Sequence, residues 1–383
     1  MIPLPQELVD AIIDQVDEVT TVKSCTLVSG PFLSSAQRKL FRVARILAGR
    51  RNLSLADYSH FLSESPHIAS YIRDLDIRAH PMTEPAALIH ILAVVRNVEC
   101  FTLTIVEMPK NNPAFTAALL DCVCRPTLRR LHLLYMQGVP STILSAAMAV
   151  PAVSFWHISM DATEELPQSD FTPRIRQLSL LNSGSAVLDI CNFLLHPRKL
   201  LYTTHIEYVQ IRMDPDSASY DHRFLSACAR TLKFLAIDPG ALVDTINLPY
   251  LPFVLGVEIE IYIDHSRQLP RHFPSTLERL ASSLPIVETI TLSFVVEPLH
   301  PEFAWSDQGA LPILGPSFKN RTEFLHLRRV HCKLRARNAA SYKGPVFDRF
   351  VEAMEMKMSG LLGTEILTCA VVNPQPRFIA PLL

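Results

Sequence analysis

Side chains that could carry out chemistry are present, but they do not stand at the spacings that known reactions need. Cys122 and Cys124 could supply two thiolates to a metal ion, but no second Cys or His pair lies nearby, whereas structural zinc sites need four ligands. The fourteen histidines include no His-Glu-x-x-His motif, and no Gly-x-Ser-x-Gly turn occurs. With 11 glycines, the chain has no Gly-rich phosphate-binding loop after a strand. We therefore predict no catalytic residue, no metal site and no cofactor.

Basic residues are concentrated between positions 321 and 337, and this run permits two interpretations. A positively charged surface there could bind an acidic or phosphorylated peptide. Alternatively, the charges protect a solvated edge strand from aggregation, which is the interpretation that we favour. Residues 298–318, before the run, are predicted to form a long ordered loop, and such loops are often functional. The basic residues are Arg321, Arg328, Arg329, Lys333, Arg335 and Arg337.

The composition excludes several classes of partner. The 36 basic and 37 acidic residues nearly cancel, so no overall attraction to nucleic acid or to an anionic membrane is expected. The N-terminus lacks the basic and apolar regions of a signal peptide, and polar residues interrupt the longest apolar run, 86–106. The eight cysteines do not have the spacing of a disulfide framework. We therefore expect a protein of the reducing cytoplasm, the nucleus or both, without a membrane span.

One short pattern recurs along most of the chain: an aliphatic residue, two others, a second aliphatic, one other, and a third aliphatic. Its repeat distance of roughly 22 to 36 residues brackets that of leucine-rich repeats, and its alternation predicts strands with one core face and one wet face. The predicted strands are Ile72/Leu75/Ile77, Cys100/Leu103/Ile105, Leu128/Leu131/Leu133, Val153/Trp156/Ile158, Ile175/Leu178/Leu180, Ile206/Val209/Ile211, Leu232/Leu235/Ile237, Val254/Val257/Ile259, Val287/Ile290/Leu292, Thr322/Leu325/Leu327 and Thr364/Leu367/Cys369.

The stretches between several of these strands are predicted to be helices, so the predicted fold class is α/β. A closed eight-stranded (β/α) barrel, and with it an enzyme, is the competing interpretation. It is disfavoured because the pattern predicts eleven strands, and because barrel strands are covered on both faces. The predicted helices cover 85–95, 113–124, 142–150, 186–195, 223–229 and 275–284, with a C-terminal helix over 346–362 and a strand over 364–372 as a cap.

The first 41 residues predict three small helices. The first begins at Pro5, whose missing N–H costs nothing at a helix start. The second covers about 21–28 and the third begins at residue 31. So short a segment rarely buries enough apolar surface to fold alone, so we expect one apolar face to pack on the chain and another to be free for a partner. The two apolar series of the first helix are Leu8, Ile12 and Val16, and Val9 and Ile13.

This stretch resembles the F-box, especially the form found in basidiomycete fungal proteins. The family's Leu-Pro-x-Glu-Leu start stands at residues 4–8, and its Cys-x-Leu-Val-Ser continuation stands at 25–29. An aromatic-leucine pair follows at 32–33, and a basic run to Leu-Phe follows at 38–41. Gly30-Pro31 stands where the family has a basic and a small polar residue, and Phe32 stands where many animal members have Trp. The alternative is that the helices only cap the following domain.

The remainder resembles degenerate leucine-rich repeats, and the whole chain resembles the F-box plus leucine-rich-repeat arrangement. The Asn that follows each strand in that family is missing here, so the expected horseshoe is irregular, with its turns closed by other means. The resemblance implies an α/β protein with a three-helix F-box at 1–43, a helical linker at 44–70, and an irregular leucine-rich-repeat solenoid at 71–383 that ends in the helix-strand cap.

The resemblance also implies a function, that of the substrate-recognition subunit of an SCF-type cullin-RING ubiquitin ligase, which is not itself an enzyme. The F-box would dock on a Skp-family adaptor bound to the cullin scaffold, and the repeat domain would bind a target protein. The alternative is a repeat scaffold that binds a partner without recruiting a ligase. The adaptor-binding residues that the motif implies are Leu4, Pro5, Leu8 and Ile12.

The residues between the core positions of each strand are expected to line the concave face of the curved sheet, where a partner would bind. Aromatic residues and Arg are the commonest binding hot spots. The alternative is a solvated face whose aromatic rings pack only on each other. The predicted partner-binding residues are Arg130, His132, Phe155, His157, Tyr208, Arg212 and Phe234, with Arg130, Tyr208, Arg212 and Phe234 as anchors.

Overall fold

The chain forms two compact units, Met1–Arg174 and Ile175–Leu383. Both alternate strands with helices. The computed structural model describes residues 4–47, 54–79, 84–105, 112–161, 171–181, 185–197, 199–213, 218–238, 248–263, 273–296, 324–336, 345–358 and 367–372.

The first unit begins with three helices and continues as a strand-helix alternation. Several of its helices start as their sequences predict, since Pro66, Pro85 and Pro113 each occupy the first turn of a helix. The elements are α1 (Gln6–Asp14), α2 (Val19–Cys25), α3 (Gly30–Leu40), β1 (Val43–Leu47), α4 (Leu55–Glu64), α5 (Pro66–Tyr71), β2 (Asp74–Ala79), α6 (Pro85–Val94), β3 (Cys100–Ile105), α7 (Pro113–Val123), β4 (Arg130–Leu134), α8 (Ser141–Ala147) and β5 (Ala152–Trp156).

The strands of the first unit are parallel and pair in chain order, from β1 to β5. Successive side chains of a strand point to opposite faces of the sheet. The core face carries buried rows such as Ala44, Leu75, Phe101, Leu131 and Val153. The opposite face carries Arg45, Asp76, Thr102, His132 and Ser154 at matching positions.

The second unit has the same alternation, and its strands are also parallel and in chain order. Its core includes Phe294 and Phe350, whose ring centroids lie 5.7 Å apart. The elements are β6 (Gln177–Leu180), α9 (Ser185–Leu195), a 3₁₀ helix (Leu200–His205), β7 (Tyr208–Arg212), α10 (Ala218–Cys228), β8 (Phe234–Asp238), β9 (Gly256–Ile263), α11 (Phe273–Ser283), β10 (Thr289–Val296), β11 (Arg329–Ala336), α12 (Pro345–Lys357) and β12 (Leu367–Val372).

Main-chain hydrogen bonds link neighbouring repeats at the strand starts. The carbonyl of the residue just before one strand accepts two N–H groups from the start of the next strand. The Glu99 carbonyl accepts from Arg129 (2.8 Å) and Arg130 (3.0 Å), and the Glu207 carbonyl accepts from Lys233 (2.8 Å) and Phe234 (3.0 Å). These bonds satisfy backbone groups that would otherwise be unpaired.

The predicted helices between strands are confirmed, with bounds shifted by a few residues. Residues 44–70 contain the helices α4 and α5, but the strand β1 was not predicted there. Phe41, Ala44 and Ile46 have the spacing of the repeated pattern, and Ala44 and Ile46 are buried. The pattern is hard to recognise at β1 because its middle position is occupied by alanine, which is only weakly hydrophobic.

Two strands were predicted in the wrong register. In β5, Val153 is the middle member of the pattern, so Phe155 is a core residue and is fully buried. The placement of Phe155 on the wet face is therefore wrong, because the pattern fits both Val150/Val153/Phe155 and the predicted set. Near the C-terminus, β11 starts at Arg329, and Leu325 is 73% exposed rather than in the core.

The sheet of neither unit closes on itself. Among the described residues β1 pairs only with β2, and β12 pairs only with β11. The barrel interpretation is therefore wrong for each unit. Within the described ranges, no helix is both long and apolar enough to span a membrane.

Candidate functional site

The three N-terminal helices share a small apolar core. Val9 and Ile13 on α1 are 1% exposed, and they lie in one cluster with Val22 on α2 and Ala36 on α3. Phe32 and Leu40 are partly buried against this cluster. The second apolar series of α1 therefore faces inward, as the two-faced pattern of that helix predicts.

Polar side chains of α3 hold α1 in place. Ser35 donates a hydrogen bond to Asp10, and Arg38 Nη1 donates to Asp10 Oδ2 at 2.9 Å. Hydrogen bonds from Ser35 and Gln6, with a contribution from Arg38, lower the pKa of Asp10. Lys39 Nζ lies 2.6–2.9 Å from the carbonyl oxygens of residues 13, 14 and 16 at the C-terminal end of α1. A cation is favourable there because helix C-termini carry partial negative charge.

The other apolar series of α1 is exposed at Leu8 and Ile12, whereas Val16 at its end packs against the core cluster. Leu4, Leu8 and Ile12 are 54%, 51% and 48% exposed. Leu8 and Ile12 are four residues apart on α1, so they lie on one side of the helix, and Leu4 precedes its first residue. Pro5 is exposed as well. The four residues that the motif assigns to adaptor binding are thus all accessible, and Leu4, Leu8 and Ile12 form what we call the apolar stripe.

Exposed apolar side chains are concentrated in this part of the chain. Of fifteen large hydrophobic residues exposed among the described ones, seven lie within the first 33 positions. The four outside the apolar stripe are Val19, Leu27, Val28 and Leu33. A cluster of exposed apolar residues indicates an interaction surface, whereas single ones are ordinary. Leu27, at 88% exposed, and Val28 are not among the contact residues that the motif implies.

The predicted partner-binding residues of the first unit have unequal access to solvent. Arg130 is half-buried, but His132 is 4% exposed and Phe155 lies in the core. Burial, with a smaller effect of Arg130, lowers the pKa of His132 to about 4. His132 is therefore neutral at pH 7, and of these residues Arg130 remains available as a charged contact.

His157 follows β5 and belongs to a group of three rings. Its ring stacks on Tyr135 at a centroid distance of 5.3 Å, and Trp156 completes the group. Tyr135 and His157 both have positive φ, 55° and 50°. A positive φ is unfavourable for residues that carry a side chain. The ring of His157 therefore packs on neighbouring aromatic rings, as the alternative interpretation of the sheet face predicts.

In the second unit, Tyr208 and Phe234 are register partners on β7 and β8, and Arg212 lies further along β7. All three are half-buried. The next residue in the row is Gly256 on β9, and the Phe234 ring lies over it. Burial, with the nearby Glu258 adding to it, raises the pKa of Tyr208. These three predicted anchors therefore lie on one face of one sheet.

A network of charged residues crosses β9, β10 and β11 on the same face. Arg335 donates to Glu258 Oε1 at 2.6 Å and also donates to Glu260, which is 3% exposed. Ser293 Oγ donates to Glu258 Oε1 at 2.6 Å, and Lys333 Nζ lies 3.5 Å from Glu258 Oε2. The sequence alone does not connect these residues, because Glu258 and Arg335 are 77 positions apart.

This network changes the interpretation of the basic run. The strand β11 pairs with β10 on one side and β12 on the other, so the edge-strand interpretation is wrong. Lys333 and Arg335 contact glutamates of the same sheet. Arg328 Nη1 lies 3.7 Å from Glu288 Oε2. Arg321, Arg337 and the predicted loop at 298–318 fall outside the described residues.

Searches of known proteins add nothing to the resemblance. No protein-family model matches the chain, and no curated protein matches it significantly. Among the described residues, no three His, Cys, Asp or Glu side chains are grouped so that they could hold a metal ion.

Proposed function

We propose that the chain is the substrate-recognition subunit of an SCF-type cullin-RING ubiquitin ligase. In this proposal, helices α1 to α3 are an F-box that binds a Skp-family adaptor, and the parallel strand-helix repeats are an irregular leucine-rich-repeat solenoid that binds the target protein. The complex would act in the cytoplasm, the nucleus or both.

The exposed apolar stripe supports the adaptor contact most strongly. The motif residues Leu4, Leu8 and Ile12 are about half exposed, while the alternate residues Val9 and Ile13 already fill the helical core. Burying a Leu or Ile side chain fully contributes roughly 1.5–3 kcal/mol, so covering the exposed halves of three contributes roughly 2–4.5 kcal/mol. That is enough to matter for binding, since about 1.4 kcal/mol changes a dissociation constant tenfold.

The outward faces of the sheets support the proposed binding of a target protein. Arg130 lies on the face of the first unit's sheet opposite its core, and Tyr208, Arg212 and Phe234 lie on the corresponding face of the second unit's sheet. Arg and aromatic side chains are enriched among binding hot spots. Neighbouring strands are about 4.8 Å apart, so a patch several strands wide supplies roughly the 800 Å² per partner of an ordinary specific interface.

A scaffold that binds a partner without recruiting a ligase is the second candidate. Gly30 and Pro31, which depart from the family pattern, form the first turn of α3 between the exposed residues Val28 and Leu33. An adaptor that contacts the start of α3 would meet Gly30 and Pro31 in place of the family's residues. Weaker adaptor binding for this reason would favour the scaffold.

Co-purification separates the two candidates. The full chain is expressed with a Skp-family adaptor and isolated through an affinity tag on the chain. A stoichiometric adaptor supports the ligase receptor, whereas a folded chain that retains no adaptor supports the scaffold.

A further inference from the structure

Two cysteines face each other across the last two strands of the second unit. Cys332 on β11 and Cys369 on β12 are register partners in a parallel pair. Neighbouring strands lie about 4.8 Å apart, and disulfides join residues whose Cα atoms are about 4.4–6.8 Å apart. A bond between the two sulfur atoms therefore requires no separation of the strands.

The two thiols have different access to solvent. Cys332 is fully buried, with a strand on each side of β11. Cys369 is only partly buried, because β12 has one neighbouring strand among the described residues. A small oxidant can therefore reach Cys369 first, and Cys332 lies behind it as the second thiol.

The contact between the thiols favours this order of reaction. A hydrogen bond from Cys332 lowers the pKa of the Cys369 thiol and raises the pKa of Cys332, with burial as a second cause for Cys332. By contrast, burial raises the pKa of Cys100, Cys122, Cys124, Cys191 and Cys228. Thiolates are the reactive form, so Cys369 is the best nucleophile among these cysteines.

We propose that Cys332 and Cys369 are a modification site at which a hydroperoxide forms a disulfide between β11 and β12. With hydrogen peroxide, the Cys369 thiolate attacks one oxygen, the O–O bond breaks, and hydroxide leaves, which converts Cys369 to a sulfenic acid. The Cys332 sulfur then attacks the Cys369 sulfur and a water molecule leaves. In total, two thiols lose two electrons and two protons to one peroxide, which becomes two water molecules.

The disulfide would close the chain segment that contains α12. This helix precedes β12 and packs against it. Closing such a loop restricts the unfolded chain, so oxidation is expected to raise the melting temperature on the order of 5–10 °C. The inference does not depend on the proposed ligase function, since it concerns the far end of the chain from the N-terminal helices.

Peptide mass mapping of the reduced, native full chain tests the proposal. Brief alkylation at neutral pH is expected to label Cys369 before Cys124, although Cys124 is the more exposed residue. After treatment with hydrogen peroxide, a non-reduced digest is expected to contain the peptides of Cys332 and Cys369 joined, with the loss of two hydrogen atoms. Labelling of Cys124 first, or absence of the joined peptides, would overturn the proposal.

Two variants at position 332 separate chemistry from packing. Cys332→Ser keeps a hydrogen-bond donor, so Cys369 should remain readily alkylated while no disulfide forms. Cys332→Val removes the donor and keeps the apolar contacts, so alkylation of Cys369 should be several-fold slower. Equal rates in the two variants would contradict the role of the hydrogen bond. Cys369→Ser should have a melting temperature that hydrogen peroxide does not raise, and a rise in that variant would also contradict the proposal.

Discussion

The ring of Phe234 lies over Gly256, its register partner on the neighbouring strand. A Cβ atom at position 256 would stand 2.7 Å from Phe234 Cδ1 and 2.9 Å from Cε1, well inside van der Waals contact. The glycine thus leaves the space in which this predicted anchor residue packs on the sheet.

Gly256→Ala is therefore expected to destabilise the chain by about 1–3 kcal/mol, because the Phe234 ring must move. Chemical denaturation measures the effect. In a Phe234→Ala background the clash is absent, so the same alanine should cost little there. If the cost of Gly256→Ala is the same in both backgrounds, the ring does not occupy this position.

Acid is expected to weaken the attachment of α1 to α3. The folded-state pKa of Asp10 is lowered, with the Ser35 hydrogen bond as the largest cause. A carboxyl group with a depressed folded pKa stabilises fully above its unfolded pKa of about 4, and the stabilisation is lost as the pH falls through the lower folded value. Hydrogen exchange of the α1 amides, compared between the unchanged chain and Asp10→Asn, should differ at pH 6, and the difference should shrink as the pH falls below about 4. A difference that persists in acid would show that the Asp10 charge is not responsible.

Removal of the Arg335 charge is expected to destabilise the second unit. Its removal leaves Glu258 and the buried Glu260 side by side without their shared cation. Breaking a buried ion pair from one side costs roughly 3–5 kcal/mol, so Arg335→Gln should lower stability by a value near the bottom of that range, since Arg335 is partly exposed.

Arg328→Gln is the matched control for Arg335→Gln. Arg328 also pairs with a glutamate, Glu288, but its side chain is 75% exposed. Exposed pairs contribute about 0–1 kcal/mol, so this variant should unfold almost like the unchanged chain. Equal losses in both variants would mean that the network around Glu260 has no special role.

Partner capture is expected to depend on the outward faces of the sheets. Arg130→Glu tests the first unit, and Arg212→Glu tests the second, since both side chains are half-buried and accessible to a partner. At least one change should reduce capture of a partner identified by proximity labelling about tenfold or more, as expected for a hot-spot residue. Melting temperature and adaptor binding should be nearly unchanged. If capture survives both changes but fails when 298–318 is deleted, that segment is the recognition element.

Much of the fold could be predicted because its signals are local. The two apolar series of α1, the prolines that begin helices and the alternation within each strand are readable within about ten residues. The apolar stripe could also be predicted, because a short helix with apolar residues on two sides cannot bury both within three helices.

The errors have a common physical origin in information that is not local. Phe155 was misplaced because neighbouring apolar residues allow two registers, and a change of one position moves every side chain to the other face. The pairing of Arg335 with Glu258 depends on strand order, which brings residues more than 70 positions apart together. The burial of His132 likewise depends on its neighbours across the strands.

The affinity of the Skp-family adaptor for variants of the apolar stripe tests the central claim most directly. Titration calorimetry should show at least tenfold weaker binding for Leu8→Asp and for Ile12→Asp, since each change removes apolar contact and places a charge in the interface. Leu201→Asp, at a residue that is 61% exposed in the second unit, is the matched control and should bind as the unchanged chain does. Full affinity in both stripe variants, with the fold intact by circular dichroism, would contradict the claim that α1 docks on the adaptor.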